Sequence, residues 1–122
     1  MAWEFKDKRP IYIQLIEQVK LKIISGEYKP GQKFPSVREL AAEASVNPNT
    51  IQKALSELER TGLVYSQRTS GRFITEDVGM IKDIKLDVAK DQVMSFLSNM
   101  KKLGLNSDEI VEFVEKVAKE VE

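Results

Sequence analysis

A chain of 122 residues has room for one core, or for a small domain with an appendage, and too little for a large catalytic or ligand-binding domain. Cysteine and histidine are both absent, which removes disulfides, thiol redox chemistry, thiolate zinc sites and imidazole bases together. The net charge of zero conceals two unlike halves: residues 1–75 hold 12 Lys and Arg against 8 Asp and Glu, and residues 76–122 hold 7 against 11.

A basic half joined to an acidic half suits a nucleic-acid module attached to a part that avoids nucleic acid. The sequence has no Gly-rich phosphate loop and no carboxylates set apart from ordinary helix surface, so the expectation is no catalytic residue, no metal and no cofactor. No apolar run approaches the ~20 residues of a membrane span, and the opening MAWEFKDKRP lacks the basic-then-apolar order of a secretory signal. A cytoplasmic location without membrane attachment is therefore expected.

The first helical pattern starts after Pro10, a residue suited to a first turn, and repeats at Tyr12, Ile16, Val19 and Ile23 with Ile11 and Leu15 alongside. It should stop near Gly26. Lys29-Pro30-Gly31 reads as a turn, and an extended piece around Lys33 and Phe34 leads to the next helix. Ser36 and Glu39 form an S-x-x-E capping box, after which Val37, Leu40, Ala41 and Ala44 give a narrow stripe for close helix packing. The pattern breaks at Ala44-Ser45-Val46, and Asn47-Pro48 supplies an N-cap and a first-turn proline for a third helix.

That helix buries Ile51, Ala54, Leu55 and Leu58 and ends at Thr61-Gly62. Its outer face then carries Asn49, Thr50, Gln52, Lys53 and Ser56, which are short donors and acceptors plus one cation. Residues 63–67 and 72–75 read as two strands joined by the basic tip Arg68-Thr69-Ser70-Gly71. A linker is expected at 76–79. Beyond it, Ile81, Ile84, Val88, Phe96, Met100 and Leu103 mark one helix that Gly104 ends. Asn106 and Glu109 cap a last helix with its stripe at Ile110, Val114, Val117 and Val121.

Two short helices separated by a tight turn and followed by a hairpin make a winged helix-turn-helix, which can lay its second helix in a DNA groove. The fold expected is mainly α with one small β-hairpin. Residues 1–75 form the winged domain, and 80–122 form a two-helix segment. Base edges in the major groove match Asn, Gln, Lys and Thr side chains, and the amides at a helix N-terminus favour a phosphate.

The run from PIYIQL through FPSVRELA and VNPNTIQKAL to GRFIT resembles the winged-helix domain of the GntR family of bacterial transcriptional regulators, over about 10–75. The short helical tail is similar to that of the YtrA-like subfamily. The resemblance implies backbone or adjacent base contacts from Ser36 and Arg38, recognition-helix contacts from Asn47, Asn49, Thr50 and Gln52, and wing contacts from Arg68, Ser70, Gly71 and Arg72. Lys53 is added from helix geometry alone. Ser45 and Thr69 stand where many members have glycine, and Pro48 stands where arginine is frequent.

Two amphipathic helices totalling about 40 residues cannot bury both stripes alone, so they pack on the first domain or on another chain, and pairing with a second copy is the expectation. Their residues Ile84, Val88, Phe96, Met100, Leu103, Ile110, Val114 and Val117 are read as a dimerisation face, as the resemblance also implies. The function expected is a homodimeric, sequence-specific DNA-binding regulator, a repressor on a pseudo-palindromic double-stranded operator. A small-molecule effector is a candidate addition, with Trp3, Phe5, Phe96 or Phe113 as walls. The rival reading is a winged helix that docks protein in place of DNA, which the scarcity of large apolar residues on the third helix disfavours.

Overall fold

A computed structural model describes residues 3–6 and 8–122. Residues 1, 2 and 7 of the expected first domain lie outside the described residues. The elements are α1 (Ile11–Ile24), α2 (Val37–Ala44), α3 (Pro48–Arg60), β1 (Val64–Gln67), β2 (Gly71–Ile74), α4 (Val78–Lys102) and α5 (Ser107–Glu120). The chain divides into two compact units, one up to Lys82 and one from Asp83 to Glu122.

In the first unit α3 packs against α1, α2 and β1. Its buried stripe is the one its spacing dictates, Ile51, Ala54, Leu55 and Leu58. Around it lie Leu15, Val19 and Ile23 of α1, Leu40 and Ala44 of α2, and Tyr28, Phe34, Leu63, Val64 and Ile74. On α1 the inward set is shifted from the expected one. Tyr12 and Ile16 are half-buried, whereas Gln14 is buried. Gln14 tolerates burial because its Oε1 accepts from Lys6 N–H at 2.9 Å and its Nε2 donates to Arg9 O at 2.9 Å. Gln18, one turn on, makes the same two kinds of bond with the backbone of Glu4, so the N-terminal segment runs along α1.

The α2–α3 turn requires one residue in the left-handed region. Ser45 takes φ 55 and ψ 46, and it is the one non-glycine with positive φ among the described residues. Val46 N–H then donates to Ala41 O at 3.1 Å, closing the end of α2. At the end of α3, Gly62 has φ +87, and Leu63 N–H donates back to Leu58 O at 3.2 Å. This reversal delivers the chain directly into β1.

The hairpin pairs Val64 with Ile74, Tyr65 with Phe73, Ser66 with Arg72 and Gln67 with Gly71. Both strands differ by one residue from their expected limits, since Gly71 joins the ladder while Leu63 and Thr75 lie outside it. The extended piece before α2 also pairs. Lys33 bridges Phe73, Phe34 N–H donates to Arg72 O at 2.8 Å, and Ile74 N–H donates to Gln32 O at 2.9 Å. Both sides of β2 are therefore hydrogen-bonded, which steadies a ribbon of two four-residue strands. The aperiodic stretch 76–79 is partly helical, because Asp77 Oδ1 accepts from Met80 N–H at 3.0 Å and α4 starts at Val78.

In the second unit Ile110 is 1% exposed, while Phe96, Leu103, Phe113, Val114 and Val117 remain exposed. Phe96 and Met100 of α4 and Phe113, Val114, Val117 and Ala118 of α5 line one apolar groove of about 360 Å³. No helix among the described residues is long and apolar enough to cross a membrane.

Candidate nucleic-acid interface

The two helix starts of the helix-turn-helix differ electrostatically. At α2, Ser36 Oγ accepts from Glu39 N–H at 3.1 Å, and the Glu39 carboxylate accepts from Ser36 N–H at 3.2 Å. These bonds from the Ser36 backbone and hydroxyl hold the Glu39 carboxyl below its ordinary value, so a carboxylate already occupies that pole. At α3, Asn47 Oδ1 accepts from Asn49 N–H at 2.8 Å, and the first turn contains no acidic residue. The start of α3 is thus the one where an external anion meets no fixed negative charge. Asn47 uses its side-chain oxygen as acceptor, which leaves its amide protons available to a further partner.

Asn49, Gln52, Lys53 and Ser56 are exposed on α3, and Thr50 is half-buried at its edge. Gln52 Nε2 donates to Ser56 Oγ at 3.3 Å, a contact on the protein surface that a base edge can replace. The acidic residues of α3 lie in its second half, and each is held by an arginine. Arg60 Nε donates to both carboxylate oxygens of Glu57 at 3.0 Å, and Arg72 pairs with Glu59. The N-terminal half of the helix is left with neutral polar groups and Lys53.

Lys53 does not extend straight outward. Its ammonium lies 3.9 Å from the centroid of the Tyr12 ring, which draws it to the α1 side of the helix. Arg72 is also engaged inside the protein, with only 21% of its side chain exposed. By contrast Arg38 and Arg68 are exposed, and neither has a carboxylate partner among the described residues. The tip is closed by a bond from Ser70 N–H to Gln67 O at 3.2 Å, with Gly71 at φ +100. Arg38 lies on α2, and Asn49, Thr50 and Gln52 lie on α3, the elements that sequence spacing predicts for them. Spacing gave no sign of Tyr12 or Glu59, which act through contacts between elements.

A three-helix core, a wing and a polar recognition helix with an open N-terminus define a winged helix-turn-helix of the kind that bacterial regulators use. Residues 11–74 match the family described as bacterial regulatory proteins, gntR family, and the chain belongs to it. The HTH-type transcriptional regulator YhcF of Bacillus subtilis is 39% identical over 89% of this chain and 90% of its own length. The HTH-type transcriptional repressor YtrA of the same organism is 34% identical over 95% of this chain and 90% of its own. A GntR family transcriptional regulator from Listeria monocytogenes superposes with a TM-score of 0.84 at 43% identity, covering 92% of this chain and 98% of that one. The DNA-binding domain of AraR, solved in complex with operator ORX1, superposes with a TM-score of 0.53 at 35% identity, over 56% of this chain and 82% of that one.

Proposed function

We propose that this chain is a cytoplasmic transcriptional repressor that grips a pseudo-palindromic operator as a homodimer, with α3 in the major groove and the wing on the flank. The observation that carries this reading is the acid-free, open N-terminal half of α3 on a GntR-family winged helix. Asn49 and Gln52 each offer a donor and an acceptor on one amide, the pair that fits an adenine edge. Thr50 contributes a hydroxyl and a methyl at the rim. Arg38, with Ser36 and Asn47, meets backbone phosphates, and Lys53, held to one side by Tyr12, meets the phosphates beside the groove. Arg68, Ser70 and the backbone of Gly71 follow the minor groove or its phosphates. Such contacts fix the register of the protein on the duplex, while the amides on α3 read sequence.

The occupant proposed for the apolar face of α4 and α5 is a second copy of this chain. The six residues lining the groove there offer no polar side chain to orient a small effector. A twofold pair instead matches the same face to itself and sets two recognition helices against two half-sites. Ile110 is already buried in the single chain, so Phe96, Phe113, Val114 and Val117 carry the contact. Blocking polymerase access is the simplest consequence of occupying such a site.

Selection of bound duplexes from random DNA tests the proposal. The expected product is a twofold-symmetric sequence with half-sites about one helical turn, or a multiple of it, apart. Enrichment of no sequence, or of a single unsymmetrical half-site, would contradict it.

A further inference from the structure

One carboxylate on α3 holds the wing. Ser66 and Arg72 face each other across the hairpin ladder, so their side chains leave the same face of the ribbon. Both end on Glu59. The Ser66 hydroxyl donates to Glu59 Oε1 at 2.7 Å, and Arg72 Nε donates to the same oxygen. Burial alone would raise the Glu59 carboxyl, but the hydrogen bonds from Ser66 and Arg72 and the guanidinium charge together bring it below its ordinary value. A two-stranded ribbon has little rigidity of its own, and the Lys33 and Phe34 pairing steadies only the β2 edge. The Glu59 contact ties the middle of the ribbon to the last turn of the recognition helix.

We infer that Glu59 is a positioning residue that fixes the wing relative to α3, and that Arg72 serves in this clamp and not as a phosphate contact. This rests on the DNA-binding reading above and divides the labour of the wing. Arg68, exposed at the tip, carries the charge that meets DNA. Arg72, neutralised by Glu59, aims it.

Two measurements on the full chain test the inference. In the free protein, amide hydrogen exchange across the β1–β2 ladder should speed up about tenfold in Glu59→Ala and in Arg72→Ala. The double variant should be no faster than either single one. Glu59→Gln keeps an amide oxygen for both donors and should restore most of the protection. The second measurement is operator affinity as a function of salt. Each phosphate contact contributes about 0.9 to the slope of log affinity against log salt. Arg68→Ala should lower that slope by about 0.9. Glu59→Ala/Arg72→Ala, which keeps the net charge, should bind several-fold more weakly with the wild-type slope. A slope reduced in the double variant as much as in Arg68→Ala would overturn the inference, since Arg72 would then be a DNA contact. Unchanged exchange in Glu59→Ala would overturn the clamp itself. If the wild type binds no duplex, the DNA reading fails and the exchange result alone decides the clamp.

Discussion

Ser45 is the residue at which the fold accepts local strain. An L-residue in the left-handed region costs ~1–2 kcal/mol, and glycine avoids that cost but gives up ~0.5–1 kcal/mol in chain entropy. With φ 55 at Ser45, Ser45→Gly should be neutral or stabilising by up to ~1 kcal/mol in a denaturant titration. Ser45→Val should lose ~1 kcal/mol or more, because a branched Cβ fits that region poorly. Equal stability of the two variants would mean that the turn does not hold this conformation in solution. The caps at Ser36 and Asn47 were readable because their bonds span two or three residues of sequence. The Lys53–Tyr12 and Arg72–Glu59 contacts were not, since each joins side chains from different elements and leaves no periodic trace.

At the scale of elements, α2 and α3 followed from spacing and capping residues, which act within one helix. The pairing of Lys33 with Phe73 was invisible because a single bridge has no alternation to read. The start of α4 was obscured for a related reason: Val78 and Gly79 carry no stripe, and the helix begins where Asp77 caps it. The stripe of α5 was legible, including its Asn106 and Glu109 cap. Which of its residues stay open was not, and Ile110 is buried while Phe113 is 51% exposed. Phe113→Glu should therefore leave the helix intact by circular dichroism and convert the proposed dimer to monomer in sedimentation. An unchanged dimer mass would place the contact between copies elsewhere.

At the scale of the whole molecule, the sequence divides charge as well as structure. Residues 1–75 carry the basic excess and residues 76–122 the acidic one, so attraction to DNA is concentrated on the winged unit. That division, together with the order of helices and wing, makes the class of protein legible in the sequence alone. The direction of individual side chains was legible only in part, because contacts between elements redirect Lys53 on α3 and Arg72 on β2. In the proposed complex, base reading rests on the N-terminal half of α3. Binding isotherms of wild type and Asn49→Ala/Gln52→Ala on the selected operator and on scrambled DNA test it most directly. A good amide–adenine pair discriminates by ~1–3 kcal/mol, so losing two should weaken operator binding at least about thirtyfold. Binding to scrambled DNA and the melting temperature should not change. Retention of the wild-type preference for the operator in that variant would contradict base reading by α3.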